Sequence, residues 1–158
     1  MSKPSSATTF DNIWGQPRRT MTADTDLELV LVNNARIPLA FWRKNFFFKG
    51  GRNQTLHSLT QGIFPAKADP MGTHPVFALK PIAGGIGFRA CPCSSSGGSN
   101  RWVNKNTKLR HTGFSMEKTS YIIDRIPFTI PASQAKTLAF KGEVSASDIQ
   151  TRQQAGAL

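Results

Sequence analysis

"GTHPVFALKPIAGGIGFRACPCSSSGG", residues 72–98, is the stretch on which the fold turns. A strand runs from Pro75, PIAGG turns the chain, IGFRACPC is the next strand, and SSSGGSN is a loop. Short β-rich runs bounded by Gly, Pro and Ser are a hairpin signature. Pro92 has no N–H to give to a ladder, so the second strand is expected to finish there. Ser94, Ser95 and Ser96 then emerge at its rim. Cys91 and Cys93 stand two residues apart and share one face of the strand.

The same texture continues outward. "RWVNKNTKLRHTGFSMEKTSYIIDRIPFTI", residues 101–130, is strand-rich with polar breaks. A short helix is expected over "ASQAKTLAF", 132–140, after Pro131. Ser145 stands three residues before Asp148, a capping pattern that predicts a last helix toward Gln154. Upstream, "GIFPAKADPMG" reads as a short strand followed by a turn-rich loop with Pro70 and Gly72. "DLELVLV", 26–32, alternates as a strand, and "RIPLAFW", 36–42, is expected to pair back on it. Phe46, Phe47 and Phe48 cannot all face one core from a strand of period two, so some of them should pack on another surface. Residues 1–25 read as an irregular arm. The expected organisation is an N-terminal extension over 1–60 and a compact unit over 61–155. Many short strands, with helices held to the end, predict a mainly β chain built as a small antiparallel barrel with short helices near the C-terminus.

A chain of 158 residues with 39% hydrophobic content can bury the core of one domain. Its longest apolar runs, such as "LVLV" and "YII", are too short to span a membrane. The Ser/Thr-rich start lacks an apolar signal segment, so a cytoplasmic location is expected. Lysines and arginines number 20 against 9 acids, a net charge of +11. From Lys80 to Lys118 there are seven cations and one acid, Glu117. Such a density suits a polyanion, because each neutralised phosphate releases counterions. An acidic protein partner or an anionic membrane surface fits the same charge. Arg89, Arg101, Lys105, Lys108 and Arg110 are the candidate nucleic-acid contacts, with Trp102 among them as a base-stacking surface.

The chain has two cysteines. A disulfide between Cys91 and Cys93 would close a tight, strained loop. A zinc site needs about four ligands. His57, His74 and His111 could complete the number, but no spacing has a zinc-finger form. The cysteines therefore read as small apolar residues of a barrel strand, and no metal or cofactor is expected.

Three segments taken in order, "GIFPAKADPMGTHPVFAL", "ACPCSSS" and "SYIIDRIPFTIPASQAKTLAFKGEVSASDI", resemble the MazF/PemK-type toxin endoribonucleases over about residues 61–155. The last is the most specific, with an aromatic strand, Asp124-Arg125-Ile126, Thr129-Ile130 and Gly142-Glu143-Val144-Ser145 before a terminal helix. The resemblance implies an SH3-like barrel. It also implies metal-independent cleavage of single-stranded RNA by attack of the RNA's own 2′-hydroxyl. Pro92 and Ser94 match the family's Pro-x-Thr/Ser element, which makes Ser94 a catalytic candidate. The family's catalytic arginine precedes a Pro-Val pair, and here that position is His74. Histidine does acid/base work near neutral pH but lacks the permanent charge and the bidentate fork of arginine. The change either retunes catalysis or abolishes it.

Three functions follow as expectations. The first is a toxin-like endoribonuclease of a toxin–antitoxin pair, with His74 and Ser94 at its centre. The second is a catalytically impaired barrel that binds nucleic acid, RNA or DNA, or an acidic antitoxin-like protein. The third is an accessory protein with an unrelated small β fold. The partners implied are RNA, an acidic antitoxin and a second copy of the chain in a homodimer, with no membrane.

Overall fold

The structure, a computed structural model, describes residues 36–152 apart from Gly85. The strand expected at 26–32 and the arm before it lie outside the described residues. Eight short strands make one antiparallel sheet: β1 Phe46–Arg52, β2 Thr73–Pro81, β3 Phe88–Ser94, β4 Arg101–Val103, β5 Ser120–Ile122, β6 Phe128–Ile130, β7 Ala139–Glu143 and β8 Ile149–Thr151. Their spatial order is β7-β1-β2-β3-β5-β4-β8, with β6 paired to β3 beside β5. The two ends of that order, β7 and β8, are consecutive in the chain and are joined by Val144–Asp148 alone. So short a link requires the sheet to curl round on itself, and the fold is a mainly β half-barrel. Among the described residues no helix is long and apolar enough to cross a membrane.

The phenylalanine triplet shows how the two faces are filled. Phe47 points into the barrel with Phe77, Cys91, Cys93, Val103, Ile122 and Ile149, drawn from β1, β2, β3, β4, β5 and β8. Phe46 and Phe48 point outward into a second core with Val76, Ala78, Phe88, Ala90, Phe128 and Phe140. Alternation on one strand thus serves two cores, as the period of two demands. The outer core is covered by α1, Asn53–Leu59, by α2, Ala132–Ala135, and by the segment around Ile37 and Trp42. Trp42 stacks on Phe48 with ring centroids 4.1 Å apart.

β1 pairs with both β2 and β7, through Phe48↔Val76 and Phe48↔Phe140. Residues 46–59 are therefore built into the same sheet as the residues beyond 61, and no structural break falls at 60/61. "RIPLAFW" does not form a strand. Leu39–Phe41 is a 3-10 turn, closed by Trp42 Nε1 donating to the Ile37 carbonyl at 3.0 Å. The short strand expected after Gln61 is replaced by the turn that ends α1, where Gln61 and Gly62 take positive φ. Thr60 sets this turn, because its hydroxyl donates to the Leu56 carbonyl at 2.7 Å and accepts from the Phe64 N–H at 2.9 Å.

The helices near the C-terminus are shorter than their sequence signals. The helix expected over 132–140 stops at Ala135, and the chain is extended again from Ala139. Leu138 and Phe140 gain more by entering the outer core beside Phe46 and Phe48 than by continuing a helix. The helix expected from Ser145 is a correction of the same kind. Ala146–Asp148 is a single 3-10 turn without a side-chain cap, and Ile149–Thr151 is β8; the part of the expected helix beyond Arg152 lies outside the described residues. Ile149 is drawn into the barrel interior, and a strand on β4 puts it there.

A long loop, residues 104–119, folds back from β4 across the sheet to β7. The Arg110 N–H donates to the Glu143 carbonyl at 2.8 Å, and Glu143 N–H returns the bond at 3.2 Å. The Glu143 carboxylate also takes His111 Nε2 at 2.7 Å and the Arg43 guanidinium at 3.2 Å. Gly142 makes the approach possible. Its φ is +137°, and a Cβ there would lie 2.5 Å from Leu109 Cβ and 2.9 Å from the Arg110 carbonyl.

Candidate nucleic-acid interface

β3 is where the chemistry was expected, and its partners explain its shape. One edge of β3 pairs with β2. The other edge passes from β6, at Phe88–Ala90, to β5, at Cys93 and Ser94. Pro92 sits between the two partners, where a missing N–H leaves no gap in a ladder, and its carbonyl still accepts from the Ile123 N–H at 3.0 Å. The strand therefore does not end at Pro92, as the proline alone suggested; it runs on to Ser94. Cys91 and Cys93 lie in the barrel core as free thiols. Burial raises the Cys91 pKa well above its ordinary value and pushes Cys93 up to about 12. Neither is a nucleophile at neutral pH.

Cross-strand pairing sets up an outward row. Ser94 stands opposite Tyr121, Tyr121 opposite Trp102, and Trp102 opposite Gln150. Directly opposed residues share a face. Their neighbours Cys93, Ile122, Val103 and Ile149 point into the barrel, so this row points out. Trp102 and Tyr121 are half-buried, with ring centroids 5.8 Å apart, and Trp102 Nε1 donates to Asn104 Oδ1 at 3.1 Å. At the usual strand spacing the row is about 14 Å long. Tyr121 was not singled out in the sequence; the β4–β5 register is what brings it beside Trp102.

The basic residues divide into engaged and free ones. Arg101 donates to Asp124 at 2.9 Å, with its guanidinium 5.9 Å from the Phe77 ring centroid. Arg110 stands 3.9 Å from the Glu143 carboxylate. Arg89 donates to Thr129 Oγ1 at 3.0 Å. Lys105 and Lys108 are exposed on the loop after β4, and among the described residues neither forms an ion pair. The basic stretch of the sequence is thus partly a set of structural clamps.

His74 and Ser94 lie near the facing ends of β2 and β3. The β2–β3 ladder ends at the pair Val76↔Pro92, two residues short of His74 and of Ser94. No hydrogen bond joins them. The Ser94 hydroxyl is engaged with the Ser96 hydroxyl at 2.8 Å and accepts from the Ser96 N–H at 3.1 Å. His74 Nδ1 lies 2.6 Å from Asn53 Oδ1, and its ring meets Phe64 edge-on with centroids 5.2 Å apart. Asn53 Nδ2 donates to the Asp69 carbonyl at 2.9 Å, which fixes the amide with its oxygen toward His74. His74 therefore carries its proton on Nδ1, and Nε2 keeps the lone pair. Burial, with Lys67 nearby, lowers the His74 pKa, so the ring is neutral at physiological pH.

A cavity of about 300 Å³ opens at the end of the barrel. Phe47, Phe114 and Met116 form its apolar part, and Lys49, Thr73, His74, Ser95, Glu117 and Lys118 its polar part. The serine on its wall is thus Ser95 rather than Ser94. Among the described residues no group of three His, Cys, Asp or Glu side chains could hold a metal ion. Comparison with protein families, with curated proteins and with solved structures returned no match.

Proposed function

We propose that the chain is a single-stranded nucleic-acid-binding barrel that holds RNA on the outer face of β5 and β4. The observation that carries this reading is the pair Tyr121 and Trp102, side by side on an outward face that no helix among the described residues covers, with exposed Lys105 and Lys108 on the loop that follows β4. Half-exposed aromatics offer stacking surface to any base, and the lysines supply the phosphate attraction. The resemblance to MazF/PemK-type barrels points to the same ligand, and the curled antiparallel sheet is compatible with the SH3-like class of that family.

The test is a titration of the full chain with an unstructured RNA oligonucleotide, read by fluorescence anisotropy. Trp102→Ala and Tyr121→Ala should each weaken binding by about 1–3 kcal/mol. Lys105→Ala with Lys108→Ala should reduce the slope of affinity against salt by about two contacts' worth. Unchanged affinity in both aromatic variants would remove the reading.

A second reading, metal-independent RNA cleavage of the toxin type, is favoured by one observation. A neutral His74 of fixed tautomer lies on the wall of a cavity that also carries Lys49, Lys118 and Ser95. A neutral imidazole can take the proton of a 2′-hydroxyl. Against it stands the missing arginine, since no guanidinium among the described residues lines that cavity. A gel assay with and without EDTA separates the two. Cleavage that survives EDTA and is lost in His74→Ala supports the enzyme. Cleavage gained only in His74→Arg supports an impaired barrel that retains binding.

A further inference from the structure

Glu117 is the one acid in the basic stretch from Lys80 to Lys118, and the fold places it at the mouth of the cavity. Its carboxylate takes Lys49 Nζ at 2.5 Å while its side chain remains 64% exposed. Lys118 lines the same wall. The ammonium groups of Lys49 and Lys141 lie 5.8 and 5.4 Å from the ring centroid of Phe114, which lines the cavity beside them. Three ammonium groups therefore share one carboxylate, a surplus of two positive charges at the rim of a cavity with an apolar floor. The hydrogen bond and charge of Lys49, with help from Lys141 and Lys118, hold the Glu117 carboxyl below its ordinary pKa, so it is ionised throughout the physiological range.

We propose that this rim is a phosphate-binding site and that Glu117 is its resident counter-ion, displaced from Lys49 when a phosphate group enters. A phosphate monoester brings nearly two negative charges and three acceptor oxygens where Glu117 brings one charge and two oxygens, so it matches the surplus better. Thr73 and Ser95 line the same cavity, and Phe47, Phe114 and Met116 give a flat or apolar part of the ligand somewhere to lie. The exposed Glu117 can swing away without disturbing any core residue. The site shares no residue with the outer row of Tyr121 and Trp102, so it stands or falls separately from RNA binding there.

Calorimetric titration of the full chain at low salt, with inorganic phosphate and with a nucleoside monophosphate as separate probes, tests it. Glu117→Gln should tighten phosphate binding roughly ten- to twenty-fold, and Lys118→Ala should weaken it by a similar factor, the effect of one charge on nearly two at about 4–5 Å in a watery site. Asp124→Asn removes a carboxylate from Arg101 elsewhere and should leave phosphate affinity unchanged. Tighter binding of the nucleotide assigns the site to nucleotides or RNA ends, and equal binding assigns it to free phosphate; both support the proposal. Absence of saturable binding in Glu117→Gln overturns it. So does an equal gain in Asp124→Asn, which would make the effect one of net charge.

Discussion

Replacing Gly142 by alanine should loosen the barrel at one identifiable seam. The backbone at this position has φ +137°, a conformation that residues with a Cβ seldom adopt. That term alone costs about 1–3 kcal/mol. The new methyl would also stand 2.5 Å from Leu109 Cβ, 2.9 Å from the Arg110 carbonyl and 2.9 Å from Thr112 Oγ1. Thr112 cannot step aside freely, because its hydroxyl donates to the Lys141 carbonyl at 2.5 Å. Overpacking of this kind costs roughly a further 1–3 kcal/mol. A combined loss of about 3 kcal/mol is a large part of the roughly 5–15 kcal/mol that holds a domain folded. With a urea slope of about 1.5 kcal/mol/M, it lowers the unfolding midpoint by about 2 M. Gly113→Ala is the matched control in the same loop. Its φ is +72°, and a Cβ there meets nothing within 4 Å, so it bears only the conformational term. Urea unfolding followed by circular dichroism reads both variants. Equal midpoints for Gly142→Ala and Gly113→Ala would refute the close approach of the loop to β7.

Because burial lowers the His74 pKa, the unfolded chain takes up that proton more readily than the folded one. Stability should therefore be complete above about pH 6.5 and decline as the pH falls through the window just below it. His74→Gln should remove that part of the decline, as urea midpoints at pH 7.5 and 5.5 would show; equal slopes in the two proteins would contradict it. The same depressed pKa predicts that any His74-dependent cleavage keeps its full rate to below pH 6.5, checked by a pH–rate profile. Cys91 and Cys93 should resist a thiol reagent at pH 8 in the folded protein, and both should react in denaturant. Rapid native labelling of either would contradict their place in the barrel core.

The strands around residues 72–98 were legible because Pro, Gly and Ser punctuate them and hydrophobic residues fill them. The phenylalanine triplet also announced two cores, since Phe46 and Phe48 must face away from Phe47. What the chain hides is long-range. α1 has only Leu56 and Leu59 as apolar anchors, too few for a periodic signal, and it forms because it closes over Val76 and Phe48. The helix signals at 132–140 and after Ser145 are local preferences that lost to the burial of Phe140 and Ile149 in the two cores. At the candidate site, His74 and Ser94 were placed at facing strand ends, but nothing local could tell that Asn53 and Ser96 would engage them. Glu117 looked like an incidental acid until the 104–119 loop brought it among three lysines. The outer row needed the β3–β5–β4 register, which no single segment contains.

The pairing of Phe48 with Phe140 sets a timetable for synthesis. β1 leaves the ribosome some 92 residues before the strand that flanks it. At ordinary elongation rates that is about 5–20 s in which Phe46 and Phe48 have part of their cover and one side of β1 has no partner. The curl cannot shut until β8, at 149–151, has also emerged, so the interior is sealed only after every other strand has been made. Such high contact order makes for slow folding and a nascent chain that exposes aromatic side chains and a strand edge. An early-binding partner or a holding chaperone would thus act on this protein before the outer row of Tyr121 and Trp102 and the rim of the cavity exist. A truncation anywhere before residue 139 would leave that exposed intermediate as the end product.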